Sequence, residues 1–247
     1  MSSIEVTAVD LPTILKKLHE GEWLAPEFQR DFVWSTAQII GLVNSIIDAK
    51  PIGMATLWQQ EDNSDLPLEH IFVIDGQGSG SGTARYFGPN EARPGRFHAI
   101  LDGKQRSTAM AMVFGGLKAT NGKRKYNGSY FLNADYADVQ DRVVYLTKME
   151  IERKSLNNKS AYVSAALIPL ELDDFGKITH HFFGYITAIG DDPLYPVDQI
   201  PSKEKKEKRQ QVVQSAFDGI QASRLLNDAC VGFDCIGQGS FGCLFVE

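Results

Sequence analysis

The chain has 247 residues, 43% hydrophobic and 23% charged, which allows one large domain or two small ones with a real apolar core. A formal net charge of −6 excludes a general basic footprint for nucleic acid, so any such contact needs a local patch or a partner. No apolar run approaches bilayer-spanning length and Met1-Ser-Ser-Ile-Glu5 lacks a signal-peptide layout, so the expected setting is the cytoplasm, without a membrane partner.

Leu11, Ile14, Leu15 and Leu18 recur at helical spacing, and His19-Glu20-Gly21 closes that helix with His19 in an exposed last turn. Pro26 then favours an extended or loop path through Trp23 to Trp34. Phe28, Phe32 and Trp34 alternate there with Gln29, Arg30 and Asp31. Spacing alone favours a strand-like segment with one buried face over a cleft in which the rings surround Gln29 and Arg30. Ser35-Thr-Ala-Gln38 is a capping-box pattern that starts a helix with a broad apolar face through Ile47. Pro51-Ile-Gly53 ends that helix and leads into a strand over 54–58. From about 59 to 96 the composition turns acidic, then glycine-rich. This stretch reads as a flexible insertion with a strand over 71–74. Its glycine run over 75–83 fits neither the P-loop nor the dinucleotide pattern.

The densest polar chemistry lies in Phe97-His-Ala-Ile-Leu-Asp-Gly-Lys-Gln-Arg-Ser-Thr108. An apolar strand breaks at Asp102-Gly103, and a helix-forming run follows. The first amides of a helix lack internal partners and carry partial positive charge, so strand, tight turn and helix N-terminus make an anion site. Two cations, an amide, two hydroxyls and a carboxylate sit on that turn, a set suited to a phosphate with a metal or a polarised water.

Further on, Gly122-Lys-Arg-Lys125 reads as a solvated basic loop, and 129–132 and 143–146 as short strands. Ile168-Pro-Leu-Glu-Leu172 reads as an edge strand or loop, and His180-His181 as packing among aromatics. A loop over 191–201 precedes a mixed-charge helix from Lys203. Cys230, Cys235 and Cys243 read as reduced, apolar thiols, not a zinc site, because no His lies near them in sequence. The Gly-x-Gly-x-x-Gly match at 237–242 carries little weight, since only five residues follow it.

Three segments occur in a specific order: Phe28-Gln-Arg-Asp-Phe-Val-Trp34, a helix ending at Pro51-Ile-Gly53, and Leu101-Asp-Gly-Lys-Gln-Arg-Ser-Thr108. Together they resemble the N-terminal domain of GmrSD-type, modification-dependent restriction enzymes. That family carries an Asp-Gly-Gln-Gln-Arg signature and belongs to the ParB/sulfiredoxin-like superfamily. The likeness covers the first half of the chain well and the second half loosely. It implies an α+β fold, a small mixed sheet surrounded by helices, as a single nucleotide-binding domain over 1–247.

The resemblance also implies Mg²⁺-dependent binding and hydrolysis of a nucleoside triphosphate (GTP, CTP, UTP or ATP). The partner would be an HNH-type nuclease domain or subunit, with phage DNA reached through it. Asp102, Gly103, Gln105 and Arg106 match the signature, and Gln29 and Arg30 match an upstream Gln-Arg pair. Lys104 stands where the family usually has Gln, which leaves base preference and hydrolysis rate open. Arg106, Lys104 and Arg30 are assigned to the phosphates, and Ser107, Thr108 and the local amides to the rest of the cradle. Asp102 holds Mg²⁺ or orients water. Gln29 and Gln105 position that water or bind the sugar, so the catalytic set is Asp102, Gln105 and Arg106. Sulfiredoxin-type chemistry is not expected, since no cysteine lies in the central motif.

No HNH-like His/Asn cluster follows, so the chain is not expected to cut DNA alone. Its stop at Glu247 fits a trimmed piece, a split gene or a diverged stand-alone protein. Two alternatives stay open: a nucleotide-gated, clamp-like DNA-binding module, and an interaction subunit with a degenerate site. Homo-oligomerisation is also open.

Overall fold

Capping chemistry sets the first helices. Asp10 accepts from the Thr13 amide at 2.9 Å and starts α1, Leu11–His19, with a proline in its first turn. Ser35 and Gln38 form the expected reciprocal box at the start of α2, Thr36–Ile47. Both helices bury the face that their spacing marks: Leu11, Ile14, Leu15 and Leu18 in α1, and Ile39, Val43, Ile46 and Ile47 in α2.

The computed structural model describes residues 3–61, 66–75, 83–88, 96–119 and 126–231. Between α1 and α2 runs β2, Trp23–Pro26, and β1, Ser3–Val9, precedes them. After α2 come β3, Met54–Glu61, β4, Leu68–Glu69, the hairpin strands β5, Phe72–Asp75, and β6, Thr83–Tyr86, and then β7, Arg96–Asp102. The central helix α3 spans Lys104–Phe114. The second half adds β8, Ser129–Asn133, β9, Val143–Leu146, α4, Lys148–Arg153, α5, Lys159–Ser164, β10, Leu167–Pro169, α6, Ile178–Gly190, α7, Lys203–Ala222, and β11, Leu225–Val231.

The fold is α+β. Its main sheet runs β1-β11-β3-β7-β2-β4 and is mixed: β11 pairs parallel with β3 and β2 parallel with β7, while the other neighbours are antiparallel. A smaller antiparallel sheet runs β10-β8-β9. Alternation along β7 divides its two faces. Ile100 enters the main core with residues of α1, α2, α3 and α7, whereas Phe97 and Ala99 pack with Leu24 and Leu68 on the opposite face. The helix α3 is buried at every position from Ser107 to Phe114, as a helix of small and apolar residues at the centre of a core should be.

Several expectations meet a different outcome. The strand after α1 ends at Pro26, and 27–35 is loop, so Phe28 to Trp34 does not form a strand with one buried face. His19 is half-buried, edge-on to Phe87 at 5.2 Å. Within 59–96, β4 extends the main sheet and β5–β6 form a hairpin. Residues 76–82 of the glycine run lie outside the described residues, as do 122–125, Cys235, Cys243 and the glycine motif at 237–242. His181 does pack: its Nε2–H donates to the Pro169 carbonyl at 2.7 Å, with Phe182 and Tyr185 beside its ring. No helix among the described residues is long and apolar enough to cross a membrane.

Candidate functional site

The strand directions bring the three marked segments to one end of the sheet. β2 and β7 run parallel, so both deliver their C-terminal ends there, and antiparallel β3 begins there. Gln29-Arg30 follows β2, Asp102-Gly103 follows β7, and Gly53 precedes β3. A cleft of about 430 Å³ forms between them, lined by Phe28, Gln29, Arg30 and Trp34 from the loop and by residues 101–106 from the turn.

Asp102 owes its direction to a β-bulge. Ile100 pairs with Leu57 and Asp102 with Thr56, so Leu101 is an extra residue opposite no partner. Simple alternation would put Asp102 on the same face as Ile100, in the core. The bulge turns it outward, where it is 74% exposed. Gly103 then takes φ +100°, which a Cβ would strain.

At the start of α3, Gly103 supplies no side-chain cap, and the Ser107 amide is the first to find its helical carbonyl, that of Gly103 at 2.9 Å. The amides of Lys104, Gln105 and Arg106 are therefore free of intrahelical bonds. The first turn contains no acid, and it carries two cations at the positive end of the dipole. An anion at this position relieves that repulsion.

Arg106 donates through Nη2 to Asp102 Oδ2 at 3.0 Å and to the Met54 carbonyl, while its Nε is buried without a hydrogen bond. Gly53 makes room for it: at φ +91°, a Cβ there would lie 2.7 Å from Arg106 Nη1. Arg30 is exposed, and among the described residues it has no ion pair. Lys104 is only 6% exposed. Its Nζ lies 3.3 Å from the Gln29 carbonyl, 3.9 Å from Glu69 Oε1 and 5.4 Å from the centre of the Phe72 ring. Burial lowers the Lys104 pKa and raises that of Glu69, outweighing their mutual attraction at both ends.

The two glutamines tie loop and turn together reciprocally. Gln29 Nε2 donates to the carbonyls of Ile100 at 2.7 Å and Leu101 at 3.0 Å. Gln105 accepts from the Val33 amide at 3.0 Å and donates to the Asp31 carbonyl at 3.1 Å. One side chain from each segment thus holds the backbone of the other.

Over residues 11–222 the sequence matches the family described as GmrSD restriction endonuclease, N-terminal domain. The chain belongs to that family. It is also similar to an uncharacterized protein of Methanocaldococcus jannaschii, with 29% identity over 155 residues, 61% of this chain. The matched region spans 25% of that relative's length.

In this GmrSD N-terminal domain, Gln29, Arg30, Asp102, Gly103, Lys104, Gln105 and Arg106 all meet at the cleft. Ser107 and Thr108 do not. Each is 1% exposed, and the Thr108 hydroxyl donates back to the Lys104 carbonyl at 2.8 Å, behind the helix start. Among the described residues, no group of three His, Cys, Asp or Glu side chains is arranged to hold a metal ion. Gly53 and Leu101 were not marked as site residues by sequence reasoning. Gly53 had a signal, its place in the Pro-Ile-Gly segment, whereas the bulge at Leu101 had none.

Proposed function

We propose that this domain binds a nucleoside triphosphate in the cleft and hydrolyses it as the nucleotide-dependent part of a restriction system whose nuclease acts elsewhere. The observation that carries the reading is the uncapped start of α3, flanked by Arg106 in its glycine cradle and by the exposed Arg30. Three free amides and two guanidinium groups converge on one small cleft, the arrangement that phosphoryl chemistry needs for charge neutralisation. The volume lies within the range of about 300–1,000 Å³ usual for small-molecule sites.

In this reading the α3 amides and Arg30 hold the terminal phosphates. Arg106 is kept in register by Asp102 and the Met54 carbonyl and brings its charge to the phosphates. Asp102 would hold Mg²⁺, which supplies charge neutralisation at the phosphates. A lone exposed carboxylate suits Mg²⁺, since this ion keeps several waters and takes its other oxygens from phosphate. Lys104 supports from behind, setting the local potential and the position of the Gln29 backbone.

One observation favours a second reading, in which the triphosphate is a switch without turnover. Gln29 has both amide hydrogens committed to β7 carbonyls, and Gln105 is bonded to the loop through its carbonyl and its amide, so both side chains are held as clamps between loop and turn. What they hold is the loop over 27–34, the segment a bound nucleotide would lock.

Phosphate release and nucleotide binding, measured in parallel with Mg²⁺, separate the readings. Wild-type turnover that disappears in both Arg106→Ala and Asp102→Ala supports hydrolysis at this turn. Binding without turnover supports the switch. Turnover that survives both substitutions places the chemistry elsewhere and defeats the assignment.

A further inference from the structure

Two aromatic side chains share the cleft with the anion-binding groups, and phosphate binding leaves them without a role. Phe28 is 74% exposed and stands directly before Gln29, whose amide clamps the loop to β7. Trp34 lines the same cleft from the other end of the loop. Its ring lies 6.5 Å from that of Phe32, which in turn packs at 5.2 Å on Tyr126, and the Tyr126 hydroxyl donates to the Trp34 carbonyl at 2.9 Å. Trp34 is therefore a braced wall, and Phe28 is a ring left in water beside an anion site. A flat apolar surface so placed gains most when another flat ring covers it.

Most donors that would read the edge of a nucleobase are already engaged. Gln29 and Gln105 have their amides on backbone, and the Lys104 ammonium is enclosed between Glu69, Phe72 and the Gln29 carbonyl. Arg30 remains, and its charge is drawn to phosphate. Ring faces are thus open in this cleft while most side-chain donors are tied to backbone.

Resting on the nucleotide-binding reading above, we propose that Phe28 is the platform on which the nucleobase stacks, with Trp34 as the wall of that subsite. The domain then selects by ring area, not by edge pattern. Purine triphosphates bind more tightly than pyrimidine ones, and the two members of each class bind alike.

The test is direct binding of ATP, GTP, CTP, UTP and inorganic tripolyphosphate, with Mg²⁺, to wild type, Phe28→Ala and Phe28→Tyr. Phe28→Ala should weaken ATP and GTP about tenfold, the scale of one lost stacking contact, while leaving tripolyphosphate unchanged. Unchanged tripolyphosphate affinity also verifies that the variant folds, and Phe28→Tyr should keep the purine affinity. Full ATP affinity in Phe28→Ala, with tripolyphosphate still bound, overturns the stacking proposal and spares the phosphate site. So does a wild type that prefers one purine strongly over the other. If neither tripolyphosphate nor any nucleotide binds, both readings fall.

Discussion

Gly53 shows how one hydrogen atom in place of a side chain serves the cleft. Its φ of +91° disfavours any other residue, and a Cβ would press on Arg106 Nη1 at 2.7 Å. Gly53→Ala should therefore lower stability by about 1–3 kcal/mol through backbone strain, and it should weaken triphosphate binding because the guanidinium must shift. A urea titration beside a binding isotherm checks both. A variant that loses stability but binds normally would separate the glycine from the site. His181 makes a second prediction. Burial holds its pKa below the ordinary histidine value of 6.5, so its Nε2–H stays neutral and donates to the Pro169 carbonyl. As pH falls through 6.5, the unfolded chain takes up a proton that the folded one resists, so stability present above that value is lost below it. Half-buried His98 is lowered for the same leading reason and adds to the same window. His181→Gln keeps a donor and removes a titration, so urea midpoints measured between neutral pH and about 5 should fall less steeply than in wild type.

Among the elements, α7 crosses α2 at Gly219, where a Cβ would stand 1.7 Å from the Ile47 carbonyl oxygen. Gly219→Ala forces the two helices apart and should destabilise by about 3 kcal/mol, the upper range for overpacking. Thermal unfolding should show it, and the residual folded protein should keep the cleft intact. Arg209 fastens the same helix to the β8–β9 connection, with Nε and Nη2 on the two Asp135 carboxylate oxygens at 2.7 and 2.6 Å. Elements with local signals were legible in the sequence: α1 and α2 from caps and apolar spacing, α3 from the break at Asp102-Gly103. β1 and β11 were not, because they exist by pairing with each other and with β3, across more than two hundred residues in the first case. The helix α6 was missed because Ile, Thr, Phe and Tyr crowd its sequence, and tertiary burial overrides their weak helical preference. At the site, residue identities were legible but partners were not. Nothing local tells that Gln105 faces Asp31 and Val33, or that Lys104 turns toward Glu69 on a strand whose place depends on β2.

At the scale of the whole molecule, cleft and core share one helix. α3 begins at the anion-binding end, and its body is the buried centre of the fold. A ligand that fixes its first turn therefore stabilises the entire domain. At a hundredfold excess over its dissociation constant, a triphosphate should add about 2.7 kcal/mol. For a chain of this size that corresponds to a rise in melting temperature of roughly 5–10 °C. Differential scanning fluorimetry with and without nucleotide measures it directly. A rise of that size in Arg106→Ala as well would mean that the ligand sits elsewhere.

The bulge in β7 makes the site depend on counting. The side chain of Leu101 has no opposite number on β3, while its carbonyl anchors Gln29. Its identity is therefore free, but its presence is not. Exchange for another residue of similar size should pass almost unnoticed. Deletion of that residue closes the bulge and leaves Asp102 opposite Thr56, but it removes the backbone carbonyl that takes one of the two Gln29 amide hydrogens, so the loop loses an anchor. Along this strand, chain length is under tighter constraint than chemistry.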